Sequence, residues 1–299
     1  MPRLVASDAS GRGVFSMKRV AILGPGLLGG SIALALRAAG GHSVSIWARR
    51  EDAAQEALEG GFADRASSDL ADVVRDAVLI IFCTPIDVMP GLAREIQPHV
   101  LPGTLITDVG SVKTPVVKEL GAIFRGVAQF VGSHPMAGSE RTGMAAARAD
   151  LFHRSVCIVT PESDTGRDTI TAVSDFWMGL GCRVIEASAH LHDARVAWVS
   201  HFPHLLAAAL VHLVAQEEPG AFEFCGPGFR DTTRVASGAP GMWADILCLN
   251  RDALKKTTEA MIEKLHGIKT LLDSEFPEKS MRELLNQAKA ERDRLHLPR

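Results

Sequence analysis

The feature that most constrains the fold of this chain is a glycine-rich turn between a short apolar strand and a helix. Residues 20–31 read Val-Ala-Ile-Leu-Gly-Pro-Gly-Leu-Leu-Gly-Gly-Ser. In the GxGxxG pattern the first glycine permits a tight turn, the second lets the backbone approach a pyrophosphate, and the third allows close packing of helix on strand. The phosphates would bind free N–H groups at the helix N-terminus. The pattern predicts a dinucleotide-binding loop rather than a merely structural turn, with cofactor-binding residues Gly24, Gly26, Leu27, Leu28 and Gly29.

Short runs of β-branched and apolar residues alternate with helical patterns from Lys18 to about Ala187. Helices are predicted at Gly29–Ala39 and Ile86–Ile96. Strands that are apolar on both faces and separated by helices are typical of a parallel sheet covered by helices. The pattern therefore predicts a Rossmann-like α/β fold with a doubly wound, mostly parallel sheet. The predicted strands are Arg19–Leu23, Ser43–Trp47, Val78–Cys83, Thr104–Asp108, Gln129–Val131, Val156–Thr160 and Arg183–Glu186.

The character of the sequence changes after Ala187, where helical patterns continue without a strand pattern. Helical stretches are predicted at His190–Glu217, Pro240–Leu272 and Pro277–Leu295. The predicted organisation is a loose tail (1–16), a dinucleotide-binding domain (17–187) and an all-helical C-terminal substrate and dimerisation domain (188–299).

The composition argues against several classes of function. The 299 residues carry a net charge of −3, which provides no basic surface for nucleic acid or an anionic membrane. The longest uninterrupted apolar runs, such as residues 77–85, are too short to cross a bilayer, and residues 1–16 lack the apolar core of a signal peptide. The five cysteines are scattered without a CxxC pair, which indicates reduced thiols. We therefore expect a cytoplasmic protein that does not bind nucleic acid or membranes.

The end of the second predicted strand bears on which dinucleotide binds. A carboxylate that holds the ribose 2′-hydroxyl is expected about 20 residues after the glycine loop. Ala48 stands at that place, and Arg49 and Arg50 follow it. A guanidinium suits a 2′-phosphate, so the segment favours NADP over NAD, with Arg49 as a binding residue. The alternative is that both arginines are solvated and that Glu51 or Asp52 reaches the ribose.

Two further loops follow predicted strands and would face the same ligand. Residues 107–113 read TDVGSVK, and residues 132–138 read GSHPMAG. Because ligands of open α/β sheets bind at the carboxyl ends of the strands, both loops should lie beside a nicotinamide. Oxidation of an alcohol also requires a base for the hydroxyl proton, and histidine suits that role near neutral pH. His134 is the candidate base, and the alternative is a histidine that only stabilises its loop.

Two segments of the helical half carry imidazole or charge. His201 and His204 are spaced i, i+3 and share a helix face. No HExxH pattern or cysteine partner accompanies them, so no metal site is predicted. Residues 226–234 form a glycine-rich turn that leads to Arg234, which suits the capture of a carboxylate. The alternative for Arg234 is a surface ion pair.

Taken together, these segments resemble the prephenate/arogenate dehydrogenase family in their order and almost in full, over residues 17 to about 275. The chain departs from the family's pattern at Phe202, where leucine is more common, and at Ala48, where many members carry an acid. The matching segments are GPGLLGGS (24–31), CTP (83–85), TDVGSVK (107–113), GSHPMAGSE (132–140), HDARVAWVSHFPH (192–204) and GFRDTTRVA (228–236).

The resemblance implies the oxidative decarboxylation of prephenate or arogenate, with hydride transfer to NADP or NAD, in tyrosine biosynthesis. It implies that His134 accepts the hydrogen bond or proton of the ring hydroxyl, and that Ser111 orients His134 and that hydroxyl. Carboxylates of the dicarboxylate substrate would be held by His204 and Arg234, with His201 beside them. Thr84 and Pro85 are added to the cofactor-binding residues. The family's helical domains interlock, which implies a homodimer.

Two other interpretations remain open at this point. A dehydrogenase of similar build that acts on a 3-hydroxy acid usually has a catalytic lysine on the helical domain, but no lysine occurs between Lys118 and Lys255. A non-catalytic NADP-binding sensor could keep the fold, but it would not need His134, Ser111, His204 and Arg234 together.

Overall fold

The computed structural model describes residues 3–4 and 18–295. Two compact units divide between Arg251 and Asp252. Apart from residues 3–4, the tail predicted over residues 1–16 lies outside the described residues.

The described strands form two sheets, and all of them lie in the first unit. The strands are β1 (Arg3–Leu4), β2 (Arg19–Leu23), β3 (Ser43–Trp47), β4 (Arg65–Ser67), β5 (Leu79–Phe82), β6 (Leu105–Asp108), β7 (Gln129–Phe130), β8 (Gly132–Pro135), β9 (Val156–Thr160) and β10 (Arg183–Glu186).

Helices connect most of these strands and form most of the described chain after Ala189. The helices are α1 (Leu27–Ala39), α2 (Glu51–Glu59), α3 (Leu70–Val74), α4 (Met89–Ile96), α5 (Thr114–Phe124), α6 (Arg167–Gly179), α7 (Ala189–Val196), α8 (Phe202–Glu217), α9 (Pro227–Thr233), α10 (Pro240–Leu249), α11 (Arg251–Leu272) and α12 (Pro277–Arg294).

The larger sheet is parallel throughout and has the strand order β4-β3-β2-β5-β6-β7. The order reverses on either side of β2, so the crevice between the carboxyl ends of β2 and β5 is the switch point where such sheets bind ligands. Leu23 ends β2 at this point, opposite Phe82 on one side and Trp47 on the other. The prediction of a Rossmann-like, mostly parallel sheet is confirmed.

The core covers both faces of this sheet because alternate residues of each central strand point to opposite sides. Along β2, Val20 and Ile22 join one buried cluster, whereas Ala21 and Leu23 join the other. The first cluster includes Trp177 of α6, and the second includes residues of α3, α4 and α5.

The smaller sheet has the order β1-β10-β9-β8, with β8 and β9 antiparallel and β9 and β10 parallel. The sequence prediction treated residues 129–131 as one strand and did not separate the two sheets. In the structure, buried Val131 divides β7, which pairs with β6, from β8, which pairs with β9. The strand β8 was therefore missed, and so was the short β4.

The stretch Ala189–Glu217 is continuous helix made of α7, a π-helical turn at Ala197–His201, and α8. Pro203 in the first turn of α8 has no N–H to donate, and the π-helical turn directly precedes it. By length and composition alone this stretch could cross a membrane, as buried core helices of other proteins also could; 33% of its most apolar window is buried. This stretch was not identified from uninterrupted apolar runs in the sequence, because polar residues interrupt its apolar ones.

The helical stretch predicted at Pro240–Leu272 is interrupted at Asn250. Its buried side-chain amide donates to the carbonyl oxygen of Asp193 at 2.9 Å and contacts Nδ1 of His201 at 3.0 Å. These tertiary hydrogen bonds, which helical periodicity does not show, explain why α10 ends before Asn250.

The second unit contains α12 and nearly all of α11. Apolar side chains that are mostly exposed, including Ile262, Leu265, Leu272 and Leu285, lie along these two helices. The unit therefore presents an apolar surface of its own.

Candidate active site

The glycine loop after β2 has the close contacts that the sequence pattern predicts. Gly24 has a φ of +110°, and a Cβ there would lie 3.0 Å from the carbonyl oxygen of Cys83. A Cβ on Gly29 would lie 2.1 Å from the carbonyl oxygen of Gly24. The helix can therefore pack this closely against the strand only if residue 29 is glycine. By contrast, a Cβ on Gly26 would meet no atom within 4 Å, which leaves open space on the side where a ligand would approach.

The start of α1 offers unpaired donors to this space. Gly26 is the N-cap residue in an extended conformation, and no side chain caps the helix. Nearby, Oγ1 of Thr84 is buried without a hydrogen-bond partner. Free helix N–H groups and an orphaned hydroxyl fit the pyrophosphate and nicotinamide portions of a dinucleotide.

Of the charged side chains that follow β3, some form ion pairs or hydrogen bonds and one does not. Arg50 pairs with Asp52 at 3.0 Å, and Glu51 accepts a hydrogen bond from Ser68 at 2.6 Å. Arg49 is exposed and has no ion-pair partner within the described ranges 3–4 and 18–295. The two acids on which the alternative interpretation depends are thus occupied, and Arg49 is available.

His134 lies on β8, where it pairs with Ile158 of β9 and is 6% exposed. Its Nδ1 lies 2.8 Å from Nε2 of His192, and Nδ1 of His192 lies 2.8 Å from Oδ1 of Asp193. A hydrogen-bonded chain therefore runs from β8 to α7. Nε2 of His134 has no hydrogen-bond partner in the part of the chain that is described.

Asp193 is held at the N-terminus of α5. Its carboxylate accepts the backbone N–H of Lys113 at 2.7 Å and that of Thr114 at 2.8 Å. Unpaired N–H groups and the partial positive charge of a helix N-terminus stabilise a carboxylate. The orientation of His192 is therefore anchored to the first turn of α5.

The loop between β6 and α5 is fixed by a buried ion pair. Nζ of Lys113 donates to Asp108 and, at 2.9 Å, to the carbonyl oxygen of Ser133. Asp108 also accepts the backbone N–H of Gly110 at 2.7 Å and that of Ser133 at 3.1 Å. Lys113 and Asp108 are fully buried, so the residue before His134 is tied to the end of β6.

The site histidines are neutral near pH 7. Burial lowers the pKa of His134 well below its usual value, and the nearby His192, Lys113 and His201 lower it further. Burial also lowers the pKa of His192, although Asp193 opposes the shift. For Asp193, burial alone would raise the pKa, but hydrogen bonds from His192 and Thr114 lower it overall, so it remains a carboxylate.

His201 and His204 lie against Trp243 of α10. The His204 ring stacks on the indole with a centroid distance of 3.5 Å, and His201 meets it edge-on at 6.3 Å. Burial lowers the pKa of His201 to about 4 and also lowers that of His204. Nδ1 of His204 is buried without a partner, so these rings can offer hydrogen bonds to a ligand but not positive charge.

Ser111 does not form the expected hydrogen bond with His134. No hydrogen bond joins the two residues in the described chain, and the Ser111 backbone instead faces His201, where it partly offsets the lowering of that pKa. The turn after β6 is held by Asp108, which accepts the backbone N–H of Gly110 at 2.7 Å. The orienting contact of His134 comes from His192.

Arg234 begins a 3-10 turn (Arg234–Ser237) and is exposed. Its guanidinium pairs with Glu140 at 2.8 Å, which is the ion pair named as the alternative. At the end of the turn, a Cβ on Gly238 would lie 2.4 Å from the Trp243 indole nitrogen and 3.1 Å from His204. The turn of Arg234 therefore leads directly to the His204 stack.

Sequence reasoning missed several of these residues. His192 and Asp193 were recognised only as part of a matching segment, because the partners that give them a role, Lys113, Thr114 and His134, lie far away in the sequence. Lys113 and Glu140 likewise lay inside matching segments without a role. Among residues 3–4 and 18–295 no group of three or more His, Cys, Asp or Glu side chains could hold a metal ion.

Two family models together match most of the chain. The model described as "Prephenate dehydrogenase, nucleotide-binding domain" matches residues 32–186, and the model described as "Prephenate dehydrogenase, dimerization domain" matches residues 188–287.

Individual proteins of this kind are similar over nearly the whole length. Prephenate dehydrogenase of Bacillus subtilis is 36% identical over 287 residues, covering 93% of this chain and 76% of that protein. Cyclohexadienyl dehydrogenase of Zymomonas mobilis is 34% identical, covering 86% and 89% respectively. The crystal structure of prephenate dehydrogenase from A. aeolicus in complex with hydroxyphenyl propionate and NAD+ superposes with a TM-score of 0.86 at 30% identity, covering 93% and 98%. The chain is a dehydrogenase that belongs to the prephenate dehydrogenase family.

Proposed function

We propose that this enzyme oxidises and decarboxylates a cyclohexadienyl acid, prephenate or arogenate, in tyrosine biosynthesis. The observation that carries the proposal is His134. It is a buried, neutral imidazole whose Nδ1 is engaged by His192 and whose Nε2 is free, and the residue before it is hydrogen-bonded to Asp108 at the carboxyl end of β6. Within this family, that nitrogen is suited to accept the proton of the ring hydroxyl.

The reaction then needs only alignment and a base. His134 accepts the hydroxyl proton at Nε2 while hydride leaves the carbon that bears the hydroxyl. The bond to the carboxyl group on the opposite ring carbon breaks, carbon dioxide departs, and the electron pair of that bond completes an aromatic ring. The proton taken up by His134 then returns to the ring oxygen, which gives the phenol and restores the neutral base. A nicotinamide dinucleotide held by the glycine loop would supply the acceptor for the hydride. The protein must hold the reacting atoms within about 3–3.5 Å and exclude competing water.

For the cofactor, the glycine loop, the N-terminus of α1 and Thr84–Pro85 are the proposed contacts. We propose NADP as the preferred dinucleotide because Arg49 is unpaired, Ala48 offers no carboxylate, and the neighbouring acids Glu51 and Asp52 are engaged. A guanidinium binds a phosphate by charge-assisted hydrogen bonds.

For the substrate, Arg234 is the proposed carboxylate-binding cation, with His204, His201 and Ser111 as hydrogen-bonding partners. Because the imidazoles are neutral, they contribute hydrogen bonds and packing, and the positive charge must come from arginine. The ion pair of Arg234 with Glu140 lies at the surface, so a substrate carboxylate can replace Glu140 at low cost.

We further propose a homodimer formed through the helical region. Leu206 and Leu213 of α8 are 40% and 55% exposed, and Trp198 and Val199 just before it are exposed further. The matching family model for residues 188–287 is described as a dimerization domain. A second copy of the chain would bury this apolar surface, which is unusual on a free protein.

Free, unpaired cysteines agree with the expected cytoplasmic location.

The reaction is tested by absorbance at the reduced-nicotinamide band, with prephenate and arogenate each assayed against NADP+ and NAD+. We expect turnover with at least one substrate. His134→Asn should lower kcat by about 10²–10⁴, the usual size of general base catalysis, while cofactor affinity stays near normal. His190→Asn, an exposed histidine of α7, is the matched control. Absence of turnover in all four combinations would contradict the proposal.

Cofactor preference is tested by Arg49→Ala. Loss of one charge-assisted contact costs about 1.5–3 kcal/mol, so the Kd for NADP+ should rise by about ten- to hundredfold, while the Kd for NAD+ stays nearly constant. Fluorescence titration with each dinucleotide measures both constants. Arg50→Ala, which loses only its pairing with Asp52, serves as the control. Equal losses for the two dinucleotides would show that Arg49 does not read the 2′-phosphate.

The substrate contact is tested by Arg234→Lys, which keeps the charge but loses the planar fork of donors. KM for the cyclohexadienyl acid should rise about tenfold, with a smaller fall in kcat if the contact is equally strong in ground and transition states. Arg230→Lys, on exposed α9, is the control. An unchanged KM in Arg234→Lys removes Arg234 from the substrate site.

The oligomeric state is tested by sedimentation velocity. We expect twice the mass of the chain, and Leu213→Asp should shift the distribution toward the single chain because a buried carboxylate in an apolar interface is costly. Leu101→Asp, at a leucine that is 43% exposed and lies outside the helical region, should leave the dimer intact. A wild-type protein that sediments as a single chain would rule the dimer out.

A further inference from the structure

We propose that His192 and Asp193 are positioning residues that fix the tautomer of His134 and accept, at His192, the positive charge created when His134 takes up a proton. The inference rests on the proposed function, in which His134 is the base for the ring hydroxyl. It adds roles for two residues that act through His134.

Asp193 determines the direction of both hydrogen bonds that link it through His192 to His134. Both oxygens of Asp193 already accept backbone N–H groups, those of Lys113 and Thr114, so the carboxylate is oriented as an acceptor. A carboxylate has no hydrogen to give, so Nδ1 of His192 must donate to Asp193. In a neutral imidazole the other nitrogen is then an acceptor, so Nε2 of His192 receives the Nδ1–H of His134.

The consequence for His134 is the form that a base requires. With its hydrogen on Nδ1, its Nε2 carries a lone pair, and Nε2 is the nitrogen without a partner. In the opposite tautomer, Nε2 of His192 would donate to Nδ1 of His134, and the unprotonated Nδ1 of His192 would face the Asp193 carboxylate, so that two acceptors met without a hydrogen between them. The chain of hydrogen bonds thus selects the base form of His134 before substrate binds.

The charges around the two rings favour moving the proton along the chain. His134 faces His192, Lys113 and His201, none of which stabilises a positive charge on it. His192 faces Asp193 and Asp108, which favour its cationic form, and Lys113, which opposes it. When His134 gains the hydroxyl proton at Nε2, it passes its Nδ1 proton to Nε2 of His192. His192 becomes the cation beside Asp193, and no group changes its oxidation state.

A spectroscopic test reads the tautomer without relying on the reaction. In the full chain labelled with 15N-histidine, the long-range 1H–15N spectrum near neutral pH should show His134 protonated at Nδ1 and unprotonated at Nε2, with assignment from His134→Asn. Asp193→Asn should convert His134 to the Nε2–H form. A wild-type spectrum with His134 protonated at Nε2 would overturn the proposal, whatever substrate the enzyme uses.

Kinetics provide the second test. Asp193→Asn and His192→Phe should each lower kcat by about 10²–10⁴, the range for loss of a correct catalytic tautomer, with little change in KM or cofactor Kd. His192→Gln offers both a donor and an acceptor and should recover part of the rate. The exposed neighbour His190→Gln, two residues earlier on α7, should behave as wild type.

The pH profile separates positioning from a purely structural role. The negative charge of Asp193 raises the proton affinity of the hydrogen-bonded pair His134 and His192. Removal of this charge in Asp193→Asn lowers that affinity, so the acid limb of the pH dependence of kcat should move to lower pH. If that variant does not fold, judged by circular dichroism, His192→Phe keeps the ring shape and carries the test.

Three outcomes separate the proposals. A folded His192→Phe with an unchanged kcat would overturn the relay, because the ring then only fills space. An acid limb that stays in place in folded Asp193→Asn would overturn it as well. A wild-type protein with the Nδ1–H form of His134 but no turnover of any cyclohexadienyl acid would support the tautomer and contradict the proposed function.

Discussion

The interaction on which the site depends is the buried ion pair between Lys113 and Asp108. The Lys113 ammonium joins Asp108 at the end of β6 to the carbonyl oxygen of Ser133 on β8, and the Lys113 backbone N–H holds Asp193 of α7. One residue thus links the parallel sheet, the smaller sheet and the helical region. Removing one member of a buried ion pair costs about 3–5 kcal/mol because it leaves an uncompensated charge. The position of His134 follows from this pair.

The local patterns that depend on neighbouring residues could be predicted from the sequence. Short continuous apolar runs and the glycine loop predicted the bounds of β2 and β3 and the path of the chain into α1, because burial on both faces and a tight turn require distinct residue types. The division of residues 129–135 between two sheets could not be predicted, since it depends on which distant strand each half pairs with. The break at Asn250 also depends on partners, Asp193 and His201, that lie far away in the sequence.

The same distinction applies to the candidate site. His134 and Arg234 were predicted because their residue types and loops suit a base and a carboxylate-binding group, and these roles stay proposals. The roles of His192 and Asp193 could not be predicted from their own segment, because a tautomer is set by hydrogen bonds to the N-terminus of α5, which lies 79 residues earlier in the case of Thr114. The domain boundary at residue 187 likewise rests on a change of element type, whereas contacts keep residues 188–251 in one compact unit with the sheets.

On the proposed mechanism, the placement of charge explains why the base is joined to a second histidine. A base beside a cationic oxidised nicotinamide gains from being neutral, and burial keeps His134 so. The anion that would stabilise its protonated form must therefore stand apart from the reacting atoms, and the N-terminus of α5 is where a buried carboxylate is stabilised by backbone donors. His192 spans the distance between these two positions and lets a charge formed at one be stabilised at the other. On this argument the smaller sheet positions the base, α5 positions the anion, and α7 couples them.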